Sequence, residues 1–208
     1  MDNNISFKSN IKFIQPANIP KLIPKGVEIN FRYPDLNIRK AKNFYTTYIL
    51  TCTGGGVINN ITKEAVGFHI LDDKSHYKNF DKLINKIFSQ IKPERGLLIG
   101  SKDAVEYGFE YSKPQFQKYK KVFSKKIDNL TIFEEHKYPY SQSHYAYSVD
   151  EDTWYICTEY LNKNNKTRYV SSIKRLKDVF KNIKIAKGDN LFIDGKKIKR
   201  KNAPELFA

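Results

Sequence analysis

Residues 44–71 read FYTTYILTCTGGGVINNITKEAVGFHIL. Phe44–Thr51 is dense in aromatic and β-branched residues, which is the composition of a strand. Gly54, Gly55 and Gly56 follow directly, and a glycine run of this kind is expected to break the strand sharply. Val57–Ile61 resumes as a strand with Asn59-Asn60 as a turn or bulge, and Ala65–Leu71 reads as another. Two or three strands folded back within 28 residues set an antiparallel pattern, and the rest of the chain is read against it.

Downstream, residues 77–91 place Phe80, Leu83, Ile84, Ile87, Phe88 and Ile91 at helical spacing. Lys92-Pro93 ends that helix, and residues 96–99 (GLLI) begin a short buried strand. Residues 113–124 repeat the helical pattern with Phe116, Tyr119, Val122 and Phe123 on one face. Strands are expected over 130–133, 145–149, 153–160 and 167–171, and a short basic helix over 172–182. Residues 190–193 and 196–199 flank Asp194-Gly195, the clearest hairpin signal in the chain. Upstream, residues 1–43 hold four prolines and many polar residues. They read as an extended, irregular lead-in with a short strand near Val27–Phe31. The expected organisation is a lead-in over 1–43 and one domain over 44–208 with a basic C-terminal part. Strict β-α-β alternation is missing, so the fold class is α+β, a compact mixed β-sandwich with flanking helices.

Composition bounds the function. At 208 residues with 40% hydrophobic and 14% aromatic residues, the chain can bury a core without disulfides. No apolar run approaches the length of a membrane span, and the N-terminus lacks the pattern of a secretory signal. A cytoplasmic protein, or one delivered into a host cell without a classical signal, is the expectation. The two cysteines, Cys52 and Cys157, are therefore read as free thiols, with Cys157 in a core strand. No histidine stands at a zinc-binding spacing, so neither a metal nor another cofactor is expected. The net charge is +15, and residues 162–201 carry 14 Lys and Arg against three Asp. Such a face suits an acidic protein substrate or an anionic membrane surface, with nucleic acid the weaker option. It equally suits a merely solvated lysine surface. Aromatics at Tyr138, Tyr140, Tyr145, Tyr147 and Trp154 could stack bases or fill a core.

Chemistry concentrates at Cys52. A thiol between a strand and a glycine run sits where the backbone turns, and free N–H groups of Cys52, Thr53 and Gly54 could form an oxyanion hole. His69 on a neighbouring strand could bring its imidazole beside the sulfur and draw off its proton. A cysteine beside glycines also reads as a small core residue, and a histidine on an apolar strand as a structural one. Asp72 and Asp73 could orient an imidazole or end a strand. Ser101 and Lys102 could line the opening. His76, His136 and His144 read as surface or turn residues.

The spacing Thr46-x5-Cys52-x16-His69 resembles the catalytic segment of the CheD family of chemoreceptor glutamine deamidases and, more loosely, the cytotoxic necrotizing factor toxins. The resemblance implies a deamidase-like fold and assigns Cys52 as nucleophile, His69 as base and Thr46 as the residue that orients His69. It departs at the turn, where the families place glycine before the cysteine and this chain places glycines after it. It implies a protein glutamine deamidase working through a thioester, in the setting of a bacterial effector or toxin. A transglutaminase or cysteine protease with the same dyad, and a non-enzymatic basic nucleic-acid-binding or adaptor domain, remain as alternatives.

Overall fold

The computed structural model describes residues 8–15, 19–23, 25–33, 35–100, 105, 108–135, 141–162 and 164–208. In chain order the strands are β1 (Asn10–Phe13), β2 (Val27–Glu28), β3 (Ile38–Lys40), β4 (Asn43–Ile49), β5 (Thr53–Asn59), β6 (Glu64–Ile70) and β7 (Arg95–Gly100). They continue with β8 (Asn129–Glu135), β9 (Ser141–Ser148), β10 (Thr153–Leu161), β11 (Thr167–Tyr169), β12 (Phe180–Lys184), β13 (Asn190–Ile193) and β14 (Lys196–Ile198). The helices are α1 (Ile19–Leu22), α2 (Lys74–Lys78), α3 (Phe80–Phe88), α4 (Ser112–Lys126) and α5 (Ile173–Val179).

The fold is α+β, built on two sheets. One has eight strands in the order β14-β13-β1-β10-β9-β4-β2 with β11 beside β10; the other has six in the order β12-β8-β7-β5-β6-β3. Between them lies a core that includes Phe13, Phe44, Tyr145, Tyr147 and Trp154 from the first sheet and Ile58, Leu97, Ile99 and Phe133 from the second. The outer face of the second sheet is covered by α3 and α4, where Ile84, Ile87, Phe116 and Phe123 pack on Val57, Phe68 and Leu98. The six-stranded sheet is thus buried on both faces. That explains the unbroken burial of β5 and β7, which show no alternation.

The glycine run does not break the strand. Thr53–Asn59 is continuous, paired with β6 on one side and β7 on the other. The glycines are there for space. A Cβ on Gly56 would lie 2.8 Å from Phe44 Cζ and 2.9 Å from Trp154 Cη2, and one on Gly54 would lie 2.2 Å from Ile49 Cδ1. Aromatic side chains of the eight-stranded sheet occupy the volume that side chains of β5 would otherwise fill. Tyr145 reaches furthest: its hydroxyl accepts from Gly55 N–H (2.8 Å) and faces the carbonyls of Gly55 and Phe68.

The lead-in expected over residues 1–43 is not one in its described part. β1 sits between β10 and β13, parallel to both, and Ile11, Phe13, Ile29 and Ile38 are core residues. Residues 180–182, expected to continue a basic helix, instead begin β12 (Phe180–Lys184), which pairs with β8. The aromatic stretch faces inward: Tyr145, Tyr147 and Trp154 are buried, so they are core and offer no stacking platform. Tyr138, Tyr140, His136, Ser101 and Lys102 lie outside the described residues. No described helix is long and apolar enough to cross a membrane.

Candidate active site

Three features of β4 and its neighbours shape the region around Cys52. Thr46 pairs with Tyr145 and Ile49 with Ser143, so β4 carries one extra residue between them. This bulge holds Tyr48 at φ 62°, a left-handed conformation that a tyrosine adopts only when its surroundings enforce it. After the bulge the chain bends through Leu50–Cys52 and enters β5. The bend is pinned from three sides. Thr51 Oγ1 donates to Asp72 Oδ1 (2.8 Å), Ser112 Oγ at the start of α4 donates to the Thr51 carbonyl, and a Cβ on Gly100 would lie 2.5 Å from the Cys52 carbonyl.

His69 lies opposite Gly54 in the β5–β6 ladder, and its side chain points between the sheets. Its Nδ1 is 2.7 Å from Thr46 Oγ1. The same hydroxyl donates to the carbonyl of Ile29, also at 2.7 Å. A threonine hydroxyl has one proton, so the hydrogen in the Thr46–His69 bond belongs to Nδ1. Nε2 is then the unprotonated nitrogen. It is buried and has no hydrogen-bond partner. Phe31 lies against the ring at a centroid distance of 4.7 Å. A cavity of about 190 Å³ is lined by residues around this anchor, among them Ile29, Phe31, Thr47 and Tyr48.

Cys52 belongs to the same inter-sheet layer, two residues before the Gly54 that faces His69. The structure brings Thr46 and His69 into contact and buries Cys52 in the same inter-sheet core just before β5, with the thiol not hydrogen-bonded to Nε2. Burial pushes the Cys52 thiol far up, and the Asp72 carboxylate adds to that; the backbone amides of Asp72, Cys52 and Thr51 oppose it more weakly. Burial also depresses His69 to about 3. The resting pair is a neutral thiol and a neutral imidazole.

The oxyanion donors assigned from sequence need correction in part. Gly54 is paired on both sides, with His69 and with Ile99, so its amide lies in the ladder plane between strands. Thr53 is the first residue of β5 and is paired with Ile70. The amides near the sulfur are those of Thr51, Cys52 and Asp72. Asp72 does not orient the imidazole. It accepts from Thr51, its Oδ2 has no partner, and burial raises its carboxyl to about 6. Asp73 caps α2 through the His76 amide and ring. The anchoring carbonyl of Ile29 was not legible beforehand, because a backbone acceptor 17 residues from Thr46 leaves no side-chain signature.

A second cysteine–histidine juxtaposition exists. Cys157 and His144 are cross-strand partners on β10 and β9, with Glu159 nearby. Cys157 is raised to about 12, by burial and then by Glu159, and no side chain fixes the His144 ring as Thr46 fixes His69. Both cysteines are free, and among the described residues no cluster of His, Cys, Asp and Glu could hold a metal. Comparison of the chain with protein-family models, with curated proteins and with solved structures finds no match.

Proposed function

We propose that the chain is a cysteine-dependent protein glutamine deamidase with Cys52 as nucleophile, His69 as base and Thr46 as the positioning residue. One observation carries the reading. The Thr46 hydroxyl, committed to the Ile29 carbonyl, fixes His69 with Nδ1–H bound and Nε2 without a partner, and Cys52 is buried in the same inter-sheet core. A structural histidine in a core normally satisfies both nitrogens, and an Nε2 left without a partner is the arrangement that general-base chemistry requires.

The reaction balances without a cofactor. Cys52 Sγ attacks the carboxamide carbon while Nε2 takes the thiol proton, so no free thiolate has to exist beforehand. Backbone amides at the bend stabilise the tetrahedral oxyanion. The C–N bond then breaks, Nε2 returns the proton to the nitrogen, and ammonia leaves a thioester. Water, deprotonated by Nε2, attacks the thioester, releasing glutamate and the thiol. The low basicity of the buried ring and the raised thiol require that substrate binding open the site, bring Sγ to Nε2 and exchange burial for polar contacts. The proposed substrate presents an acidic surface, in keeping with a net charge of +15.

Peptide mass spectrometry of lysate proteins incubated with wild type or with Cys52→Ser tests this. A gain of about 1 Da at particular glutamines, made only by the wild type, is expected. Equal spectra from both proteins, together with a Cys52 that resists alkylation in native protein mixed with lysate, would remove the proposal.

A further inference from the structure

A cleft of about 940 Å³ lies at the opposite end of the sandwich from Cys52. β7 connects the two: Arg95 at its start lines the cleft, and Gly100 at its end abuts the Cys52 carbonyl. Six residues of strand put the sites about 17 Å apart. The cleft sits where β1, β7, β8 and β13 all begin, because these strands come in two parallel pairs, β1 with β13 and β7 with β8.

Its floor is a closed charge network. Arg95, 3% exposed in its side chain, pairs with Asp189 and with Asp152 (3.3 Å). Asp189 also accepts from Ser9 N–H (3.1 Å) and Thr131 Oγ1 (3.0 Å), and Asp152 from Tyr147 Oη (3.0 Å). One guanidinium faces two carboxylates, so the floor has a formal charge of −1 (+1 − 2) and offers no free cation to an anion; any attraction comes from the rim. The rim differs. Lys8, Lys126, Lys187, Lys197 and Lys199 line it, all exposed, and none has a carboxylate within ion-pair distance among the described residues. Elsewhere Lys40 pairs with Glu64, Lys120 and Lys181 with Glu134, and Lys177 with Glu205, while many other described lysines stand without a carboxylate partner as these do, so the rim is set apart by the convergence of five lysines on one cleft. Glu94, Asp128 and the buried Asp189 are the carboxylates that line the cleft. Four separate chain segments deliver the ammonium groups to one concavity, and these carboxylates offset their mutual repulsion only in part.

We infer that this cleft is a binding site for a compact, multiply phosphorylated anion. Its volume falls within the range of small-molecule sites, about 300–1,000 Å³. A single-stranded nucleic acid needs aromatic stacking surfaces along a groove. Here the one aromatic lining residue is Phe207, and the Arg200 guanidinium already lies 5.0 Å from its ring centroid. Lysine ammoniums on flexible stems are point-charge donors that adapt to several phosphate groups on one scaffold. The site is independent of the Cys52 chemistry.

Calorimetry of the full chain with inositol hexakisphosphate at physiological salt is the test. One molecule should bind per chain, and Lys187→Glu with Lys197→Glu should weaken it at least about tenfold. The control pair Lys78→Glu with Lys82→Glu makes the same charge change on α2 and α3 and should weaken it less than about threefold. Hydrogen-exchange footprinting of wild type reads the site without any variant, and protection is expected at 126–129 and 186–200. Capture on phosphatidylcholine vesicles containing phosphatidylinositol bisphosphate, competed by the free polyphosphate, would assign the source as a lipid headgroup. Binding of the free polyphosphate without vesicle capture would assign a soluble one. Equal losses in the two variant pairs, protection elsewhere, no binding heat, or tighter binding of an oligonucleotide through the same lysines would each overturn the proposal.

Discussion

At the scale of single residues, the Thr46–His69 contact combines a structural and a chemical role, and the two can be separated. Thr46→Val keeps the shape but leaves His69 Nδ1–H and the Ile29 carbonyl without their partner in a buried setting. Each unsatisfied group costs about 1–3 kcal/mol, so a lower unfolding midpoint in urea is expected whatever the protein does. Under the deamidase proposal, Thr46→Val should also lower kcat for ammonia release about 100-fold, and Thr46→Ser should restore most of it. Loss of stability without any loss of rate would leave Thr46 a purely structural residue. Protonation supplies a second test. His69 is held neutral, with its folded value near 3 below the ordinary 6.5. The stability it contributes is full above pH 6.5 and is lost as pH falls toward 3. Asp72 has the opposite sign: its folded value near 6 lies above 3.8, so its contribution is full below 3.8 and lost as pH rises through 6. Asp72→Asn should therefore gain stability relative to wild type as pH rises from about 4 to about 6, with no further gain well above that. It should also hasten alkylation of Cys52, because the carboxylate that raises the thiol is gone.

At the scale of the element, β5 shows why three successive glycines can form the centre of a sheet. The strand is held by its neighbours on both edges, and the inward glycines accept the aromatic layer of the facing sheet. Gly56→Ala pushes a methyl group against Phe44, Trp154 and the Val66 carbonyl, none of which is the end of a flexible chain. Overpacking of this kind costs about 1–3 kcal/mol, and a matching fall in unfolding free energy should be measured by urea titration. A drop much smaller than that would mean the two sheets can separate locally. The hairpin at β13–β14 is the contrasting element. Asp194 at φ 51° and Gly195 at φ 72° make a two-residue turn with both residues left-handed, and local chemistry suffices to specify it.

At the scale of the whole molecule, two sheets are locked together at both ends by polar groups. Near Cys52 the lock is Thr46–His69, with Tyr145 reaching the backbone of Gly55. At the other end it is Arg95 of the six-stranded sheet with Asp152 and Asp189 on turns beside the eight-stranded one. Burial raises Asp189 despite the Arg95 pairing, so the network exists at a desolvation cost and depends on its cation. Arg95→Met should destabilise the protein by about 3–5 kcal/mol, since it strands two carboxylates. Arg95→Met with Asp189→Asn should recover part of that loss in chemical denaturation. No recovery would show that Asp152 alone requires the guanidinium.

The sequence by itself determined whatever depends on neighbours a few residues away. The Asp194-Gly195 turn, the amphipathic stripes of α3 and α4, the strands around Cys52 and His69, and the α+β class all follow from local spacing and turn chemistry. The interval between Thr46, Cys52 and His69 stood out through its resemblance to a family motif, and the Thr46–His69 contact itself needed the fold. Tertiary structure alone decided what depends on partners far along the chain. β1 is a four-residue strand whose stability comes from Trp154 and Leu191 register partners more than 140 residues on, so its own residues read as lead-in. The glycines of β5 became strand because aromatic rings from another sheet fill the space above them. The tautomer of His69 was set by a carbonyl just after β2 and its neutral state by burial, and the protonation of Cys52 by burial and Asp72. Charge scattered as Lys8, Lys126, Lys187 and Lys197 converged only when parallel strands began at one end of the sandwich. Local propensity is a short-range quantity, whereas burial and electrostatics are sums over everything the fold brings near.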